Sequence, residues 1–353
     1  WPMSGNAGTA GRGGMIRSFC GALGLFGALM GVALAQAPED PTKTVNMLAS
    51  HAPGGGYDAY ARLYARHVGR FLPGQPNLVV RNMPGAAGVV MANFVASQAA
   101  RNGSVIALGP GSMATAALLG SQGGARFDAR EFTWVGSLNN DVSVTVSRSD
   151  SPISKTEELF TKELVVGGAG ASDNSVIYAN ILNRMFGAKL KLVAGYNGSG
   201  DTVLALDRGE VQGIAGWNYS SVTTMRPDWL RDKKIHILLQ MSLSRHPDLP
   251  NVPTVLELAR DDNQREILRL IFAQSQMGRV IMGPPAVPKA MVEAHRNAFD
   301  RVLKDAEFLA DVEKMRLEIS GPMSGSEVDQ LVASLYKATP ERIKEASALL
   351  GGN

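Results

Sequence analysis

Two hydrophobic rhythms alternate along this chain. Residues 45–48 form a short apolar run, and Tyr60, Leu63, Tyr64, His67 and Val68 then recur three and four apart, the spacing of one buried helix face. The exchange repeats at 78–80 followed by Val90, Met91, Phe94 and Val95, and again at 105–108 followed by an alanine-rich stretch. Runs at 134–138 and 142–146 read as extended segments crossing to a second domain. There the pattern restarts: 164–166 before Ile177, Ile181, Leu182 and Met185, then 190–193 before a helix through Leu206, then 211–215, with 236–239 as the returning strand. The remainder reads as mainly helical. Pro288 opens one helix, a Ser324/Glu327 capping box a second, and Thr339-Pro340 the last, each by a recognised start signal. Alternation of this kind predicts an α/β fold with largely parallel sheets.

The joints where strand gives way to helix carry the glycines. The densest is Ser50-His51-Ala52-Pro53-Gly54-Gly55-Gly56-Tyr57-Asp58. Gly111-Ser112-Met113, Gly170-Ala171-Ser172-Asp173 and Gly195-Tyr196-Asn197 repeat the theme, and Gly216-Trp217-Asn218 stands just past the 211–215 run. Glycine lets backbone approach a ligand without a Cβ in the way, and the free N–H groups of a first helical turn favour an anion. Ligands of open α/β sheets bind at the carboxyl ends of strands. Two such edges facing each other predict a cleft lined by helix N-termini.

The N-terminus changes the picture of the whole. Arg12 and Arg17 flank an apolar and glycine run at 19–35, and Ala35-Gln36-Ala37 has the small-x-small form of a cleavage site. Residues 1–37 therefore read as an upstream extension and a secretory signal peptide cleaved near Ala37, with Met15 as the start. The run is too short and glycine-rich for the roughly 20 apolar residues of a spanning helix. Cys20, the single cysteine, lies within it. The exported remainder then forms no disulfide, thiolate metal site or cysteine nucleophile, and its stability rests on its core. A formal charge of +3 with no basic run gives no reason to expect a nucleic-acid partner.

Catalytic motifs are missing. There is no His-Glu-x-x-His helix, no phosphate loop ending in Gly-Lys-Ser/Thr and no Gly-x-Ser-x-Gly elbow. The five histidines, at 51, 67, 236, 246 and 295, never fall at metal-ligand spacing. Gly109-Pro110-Gly111 only loosely evokes a dinucleotide turn, so no cofactor and no metal are expected. His51 enters the first glycine turn and is a ligand candidate, whereas His67 and His295 sit on helices as packing or surface residues. Asp58 has two readings, a first-turn acid that stabilises the helix start or an acceptor for a ligand group, with the first favoured. Trp217 is either a cleft wall or an interdomain packing residue. Arg279 is either a bidentate carboxylate partner or a solvated surface arginine.

Several segments together resemble the substrate-binding proteins of tripartite tricarboxylate transporters, the Bug-type family. They are Pro53 through Leu63, Asn82-Met83-Pro84-Gly85-Ala86-Ala87-Gly88, Gly195-Tyr196-Asn197-Gly198-Ser199-Gly200, Arg208-Gly209-Glu210-Val211-Gln212, Pro247-Asp248-Leu249-Pro250-Asn251-Val252-Pro253-Thr254 and Gly283-Pro284-Pro285-Ala286-Val287-Pro288. The resemblance implies a two-domain Venus-flytrap fold of the type II periplasmic binder class. Domain 1 takes 38–141 plus 247–353 and domain 2 takes 142–246, with the ligand cleft between them. It implies a non-enzymatic, monomeric receptor for a small organic carboxylate, served by membrane transporter subunits. It also carries ligand binding to Gly54, Gly55, Gly56, Tyr57 and Asp58, to Gly111, Ser112 and Met113, and to Gly170, Ala171, Ser172 and Asp173. His51 in the first turn, Tyr196 and Asn197 in a later glycine turn, and Trp217 and Asn218 beyond a strand end join the ligand-binding candidates by position. His51 and Tyr57 depart from the smaller or apolar residues usual in the family, which points to an aromatic, dicarboxylic or larger acid. The alternatives are a carboxylate sensor for a membrane kinase and an exported hydrolase using Asp58 or Asp173.

Overall fold

The apolar runs build two separate sheets. The computed structural model describes residues 40–54, 56–120, 124–170, 173–196 and 199–351, so the expected leader lies outside the described residues. The first sheet begins with β1 (Thr44–Ala49), β2 (Asn77–Asn82), β3 (Val105–Gly109) and β4 (Thr133–Ser137). The chain then crosses to the second sheet, β5 (Ser143–Arg148), β6 (Leu164–Gly168), β7 (Leu190–Ala194), β8 (Gly213–Asn218) and β9 (Ile235–Met241). It returns to the first with β10 (Val280–Gly283) and β11 (Met323–Ser324). The spatial orders are β11-β4-β10-β3-β1-β2 and β7-β6-β8-β5-β9.

Helices cover both faces of each sheet. They are α1 (Gly56–Val68), α2 (Val89–Ser97), α3 (Ala116–Leu119), α4 (Asn174–Phe186), α5 (Ser199–Arg208), α6 (Tyr219–Met225), α7 (Pro227–Arg231), α8 (Asp262–Phe272), α9 (Lys289–Val302), α10 (Ala306–Lys314), α11 (Gly325–Leu335) and α12 (Pro340–Leu349). Side chains alternate across a strand. Val45 and Met47 of β1 accordingly join Tyr64, Phe299 and Phe308 on one face, while Leu48 joins Met91, Val95 and Val328 on the other. In the second sheet Val144 and Ile214 meet Leu206 and Trp229, and Val166 and Ala215 meet Tyr178 and Phe272. Phe272 belongs to α8, in the returning part of the chain, yet its ring lies 5.0 Å from that of Tyr178 on α4.

One expectation is corrected and a second, that the last third is mainly helical, holds with an added strand. The sheets are mixed rather than largely parallel, because β10 runs antiparallel to β3 and β4, and β5 antiparallel to β8 and β9. Both strands arrive from the other half of the molecule and so run against their neighbours. The last third also contains β10, a strand at the centre of the first sheet. All four of its residues are buried, and an apolar run that short has no period to separate strand from helix.

The two helical histidines are packing residues. His67 lies edge-on to Phe308 and bonds Asp311 through Nε2 at 2.9 Å. His295 is buried and bonds the Gly103 carbonyl through Nε2 at 2.9 Å. Burial lowers the His295 pKa below its ordinary value of 6.5. The folded state therefore binds fewer protons than the unfolded one once the pH drops below that value, and stability falls on acidification. Urea titrations across pH 7.5 to 5 should show stability declining toward acid, by no more than about 1.4 kcal/mol per pH unit from this residue. His295→Gln should flatten it, and an undiminished slope in that variant would show that His295 is not the group responsible.

Candidate functional site

The glycine turn after β1 is held open by one acid. Asp58, in the first turn of α1, is buried. It accepts from the Gly54 N–H at 2.9 Å, the Asn82 amide at 2.8 Å and Arg62 Nε at 3.0 Å. Asn82 Nδ2 also donates to the His51 carbonyl at 2.9 Å. These bonds, led by Arg62, hold the Asp58 carboxyl down to about 2. Both carboxylate oxygens are engaged by the loop itself, which favours the structural reading of Asp58. His51, Tyr57 and the exposed Gly54 and Gly56 are left on the outer side of the turn.

His51 and Tyr57 stack at 4.3 Å with 12° between their planes. Desolvation pushes the Tyr57 hydroxyl up to about 12, so it stays a hydrogen-bond donor at neutral pH. The Arg279 guanidinium, just before β10, lies 4.8 Å from the Tyr57 ring and 5.1 Å from Tyr60, within cation–π range. Burial, then the positive charge of Arg279, lower the His51 pKa. Arg279 also meets Asp141, on the crossing between β4 and β5, at 3.5 Å. Burial raises the Asp141 pKa, and the positive charge of Arg279, followed by a hydrogen bond from Asn218, offsets it only in part.

Asn218 ends β8, and beside it lies a cavity of about 190 Å³. Its walls are Asp173, Asn174 and Ser175 at the start of α4, Ser199 and Thr202 of α5, and Ser143 with Gly216, Trp217 and Asn218. Asp173 caps α4 by accepting from the Ser175 N–H at 2.9 Å. Gly216 is the extra residue of a bulge, since Trp217 pairs with Val144 while Ala215 pairs with Thr145. Its φ of +95° and its closeness to Asn174 and Tyr178 of α4 both require glycine. Trp217 lines the cavity and packs edge-on to Trp229 of the same second-sheet core, with centroids 6.0 Å apart.

Other expected site residues are placed differently. Met113 is fully buried in the first-sheet core, so its side chain is corrected from ligand contact to packing. Gly111 is buried as well, its own backbone lying against the Gln274 and Met277 carbonyls, which would stand 2.5 and 2.2 Å from an idealised Cβ. Ser112 is half-buried, Gly170 is exposed and Tyr196 is half-buried among second-sheet residues. Gly55, Ala171, Ser172 and Asn197 lie outside the described residues. In the sequence Asp141, Ser143, Asn174 and Thr202 do not stand out as site residues, since isolated polar residues of this kind carry no spacing signal, and Tyr60 and Asn82 are placed only on a helix face and in a family-like segment. Among the described residues His67, Asp305 and Glu307 group as metal ligands would. The Arg70 guanidinium bonds all three and already supplies the positive charge.

Comparison with known proteins shows the family of the chain. Residues 61–345 match the family profile described as tripartite tricarboxylate transporter family receptor. The chain belongs to that family. A curated relative, the UPF0065 protein in the tcbD-tcbE intergenic region of Pseudomonas sp. (strain P51), is 24% identical over 308 residues, covering 86% of this chain and 84% of its own. A ligand-free TctC solute-binding protein from Polaromonas shares the fold at a TM-score of 0.68, with 18% identity over 89% of this chain and 99% of its own. MatC from Rhodopseudomonas palustris, solved with bound malate, does so at 0.57, with 21% identity over 87% and 100%. The receptor thus has the two-domain α/β periplasmic-binding-protein fold that its loops imply. It is a solute-binding receptor of the transport family rather than an enzyme, which removes the hydrolase alternative.

Proposed function

We propose that this receptor captures a small organic carboxylate in the periplasm and delivers it to a tripartite tricarboxylate-type membrane transporter. The observation that carries the reading is a continuous path of side chains. It runs from Tyr57 at the start of α1, through Arg279 and Asp141, to Asn218 at the rim of the second-sheet cavity. One end offers the first-turn N–H groups of α1 and the other those of α4 and α5. Each helix terminus favours an anion by about 0.3–1 kcal/mol. A solute touching both ends binds the closed form better than the open one, and closure follows from that difference.

The finer parts of the reading go with it. The domains divide near 141 and 247, with α8 of the returning segment buttressing the second lobe, and the leader is removed near Ala37. The receptor acts as a monomer. The ligand reaches His51, Tyr57, Asn218 and the α4 start. The stacked His51–Tyr57 pair suits an acid with a flat or extended body, and the malate held by the R. palustris relative makes hydroxy-dicarboxylates the first to try.

A thermal-shift screen of aliphatic, hydroxy and aromatic carboxylates, followed by calorimetry of the hits, tests this. At least one acid should raise the melting temperature, since ligand at 100 times its Kd adds about 2.7 kcal/mol. Mass spectrometry should recover that acid unchanged. A chemically altered acid, or a melt indifferent to every carboxylate, contradicts the proposal.

A further inference from the structure

The guanidinium between the two halves of the site is short of partners. The Arg279 side chain is only 13% exposed. Its Nη1 reaches Asp141 at 3.5 Å and the Gly278 carbonyl at 3.3 Å, both beyond the ordinary N–H···O range. Its Nε is buried without a hydrogen-bond partner among the described residues. Arginine carries five N–H donors in a rigid planar fork, and under-bonded buried charge is costly. The faces of Tyr57 and Tyr60 attract the cation but offer it no acceptor in the plane of the fork. Asp141 is held back from a closer approach: its N–H donates to the Ser275 carbonyl at 2.6 Å, and its carboxylate shares a hydrogen bond with Asn218.

A planar anion fits this arrangement. A carboxylate meets the edge of a guanidinium with two parallel hydrogen bonds, and Arg279 stands beside the Tyr57 ring while its partner Asp141 stands beside the rim residue Asn218. We propose that Arg279 is the specificity-determining residue of the site. Its under-bonded edge pairs with a second anionic group of the ligand, between the two halves of the site, and Asp141 is the weak partner that this group displaces. The proposal rests on the carboxylate-receptor reading above and adds to it which side chain reads the ligand's length and charge. Arg279→Lys keeps the charge but loses the fork. Asp141→Asn keeps the shape but removes the competing anion.

Calorimetry with matched acids tests it: succinate against butyrate, adipate against hexanoate, phthalate against benzoate. Wild type should bind the two-charge member of at least one pair about tenfold or more tighter, the value of one charge-assisted contact. Arg279→Gln should bring the pair to near equality, the two-charge acid losing about tenfold more affinity than its single-charge partner, and Arg279→Lys should restore part of the gap. Asp141→Asn should tighten the two-charge acid alone. Melting curves check that each variant is folded, and Asp141→Asn remains informative if Arg279→Gln is not. Equal loss of both pair members in Arg279→Gln, or no preference in wild type, overturns the role of Arg279 while leaving the receptor reading intact. Failure of every acid to bind wild type overturns that reading itself, and this proposal with it.

Discussion

Replacing Gly216 with valine is expected to abolish solute binding and to cost about 3 kcal/mol of stability or more. Gly216 has a φ of +95°, and an added Cβ would stand 2.7 Å from the Asn174 carbonyl oxygen and 2.7 Å from the Tyr178 ring. Neither neighbour can give way cheaply. The first is backbone in the opening turn of α4, and the second is a ring packed against Phe272. Relief comes only by pushing the end of β8 away from α4, and both elements line the cavity. Gly187 supplies the control. It also has a positive φ, +72°, but no atom lies within 4 Å of an added Cβ. Gly187→Ala should cost only about 1 kcal/mol and leave affinity unchanged. Denaturant melts and calorimetry on the two variants separate the effects, and normal binding by Gly216→Val would detach the cavity from the site.

Asp58→Ala is expected to release the other jaw. The substitution strips an acceptor from the Gly54 N–H, the Asn82 amide and the Arg62 guanidinium together. Loss of so many bonds to one buried carboxylate should cost about 2–3 kcal/mol and leave the turn unfixed, so binding falls even where the fold survives. The pH dependence has a definite sign. The folded carboxyl is lowered from 3.8 to about 2, so its stabilisation is complete above the unfolded value and fades as the pH falls from there through the folded one. That contribution is about 2 kcal/mol. It should vanish from the acid limb of the Asp58→Asn stability curve, and an unchanged acid limb would mean that Asp58 is not the holding group.

Much of this frame can be read from sequence, for identifiable reasons. The runs at 45–48, 105–108 and 164–166 are short, apolar and bounded by turn residues, and all become strands. The capping residues Ser324 and Thr339 name their helices because their side chains bond the N–H groups that a helix start leaves free. β10 is hidden because its four residues are buried on every side and show no alternation. The site is legible in part. His51, Tyr57 and Asp58 stand out because the glycines around them mark a turn. Met113 shares the appearance of a loop residue but faces the core. Asp141 is silent in sequence, an acid between two extended runs that gains meaning only when folding sets it beside Arg279 and Asn218. Arg279 itself reads equally well as a surface residue until Tyr57 and Tyr60 are seen to enclose it.

The central claim is that one solute is held by the first turn of α1 and by the second-sheet cavity together. A crystal structure with the tightest-binding carboxylate tests it most directly. The account predicts a carboxylate group at the Gly54–Asp58 turn beside Tyr57, with the rest of an unaltered acid reaching Asn218 and the start of α4. An acid bound wholly to one lobe, or resting on an outer surface away from both, would contradict it.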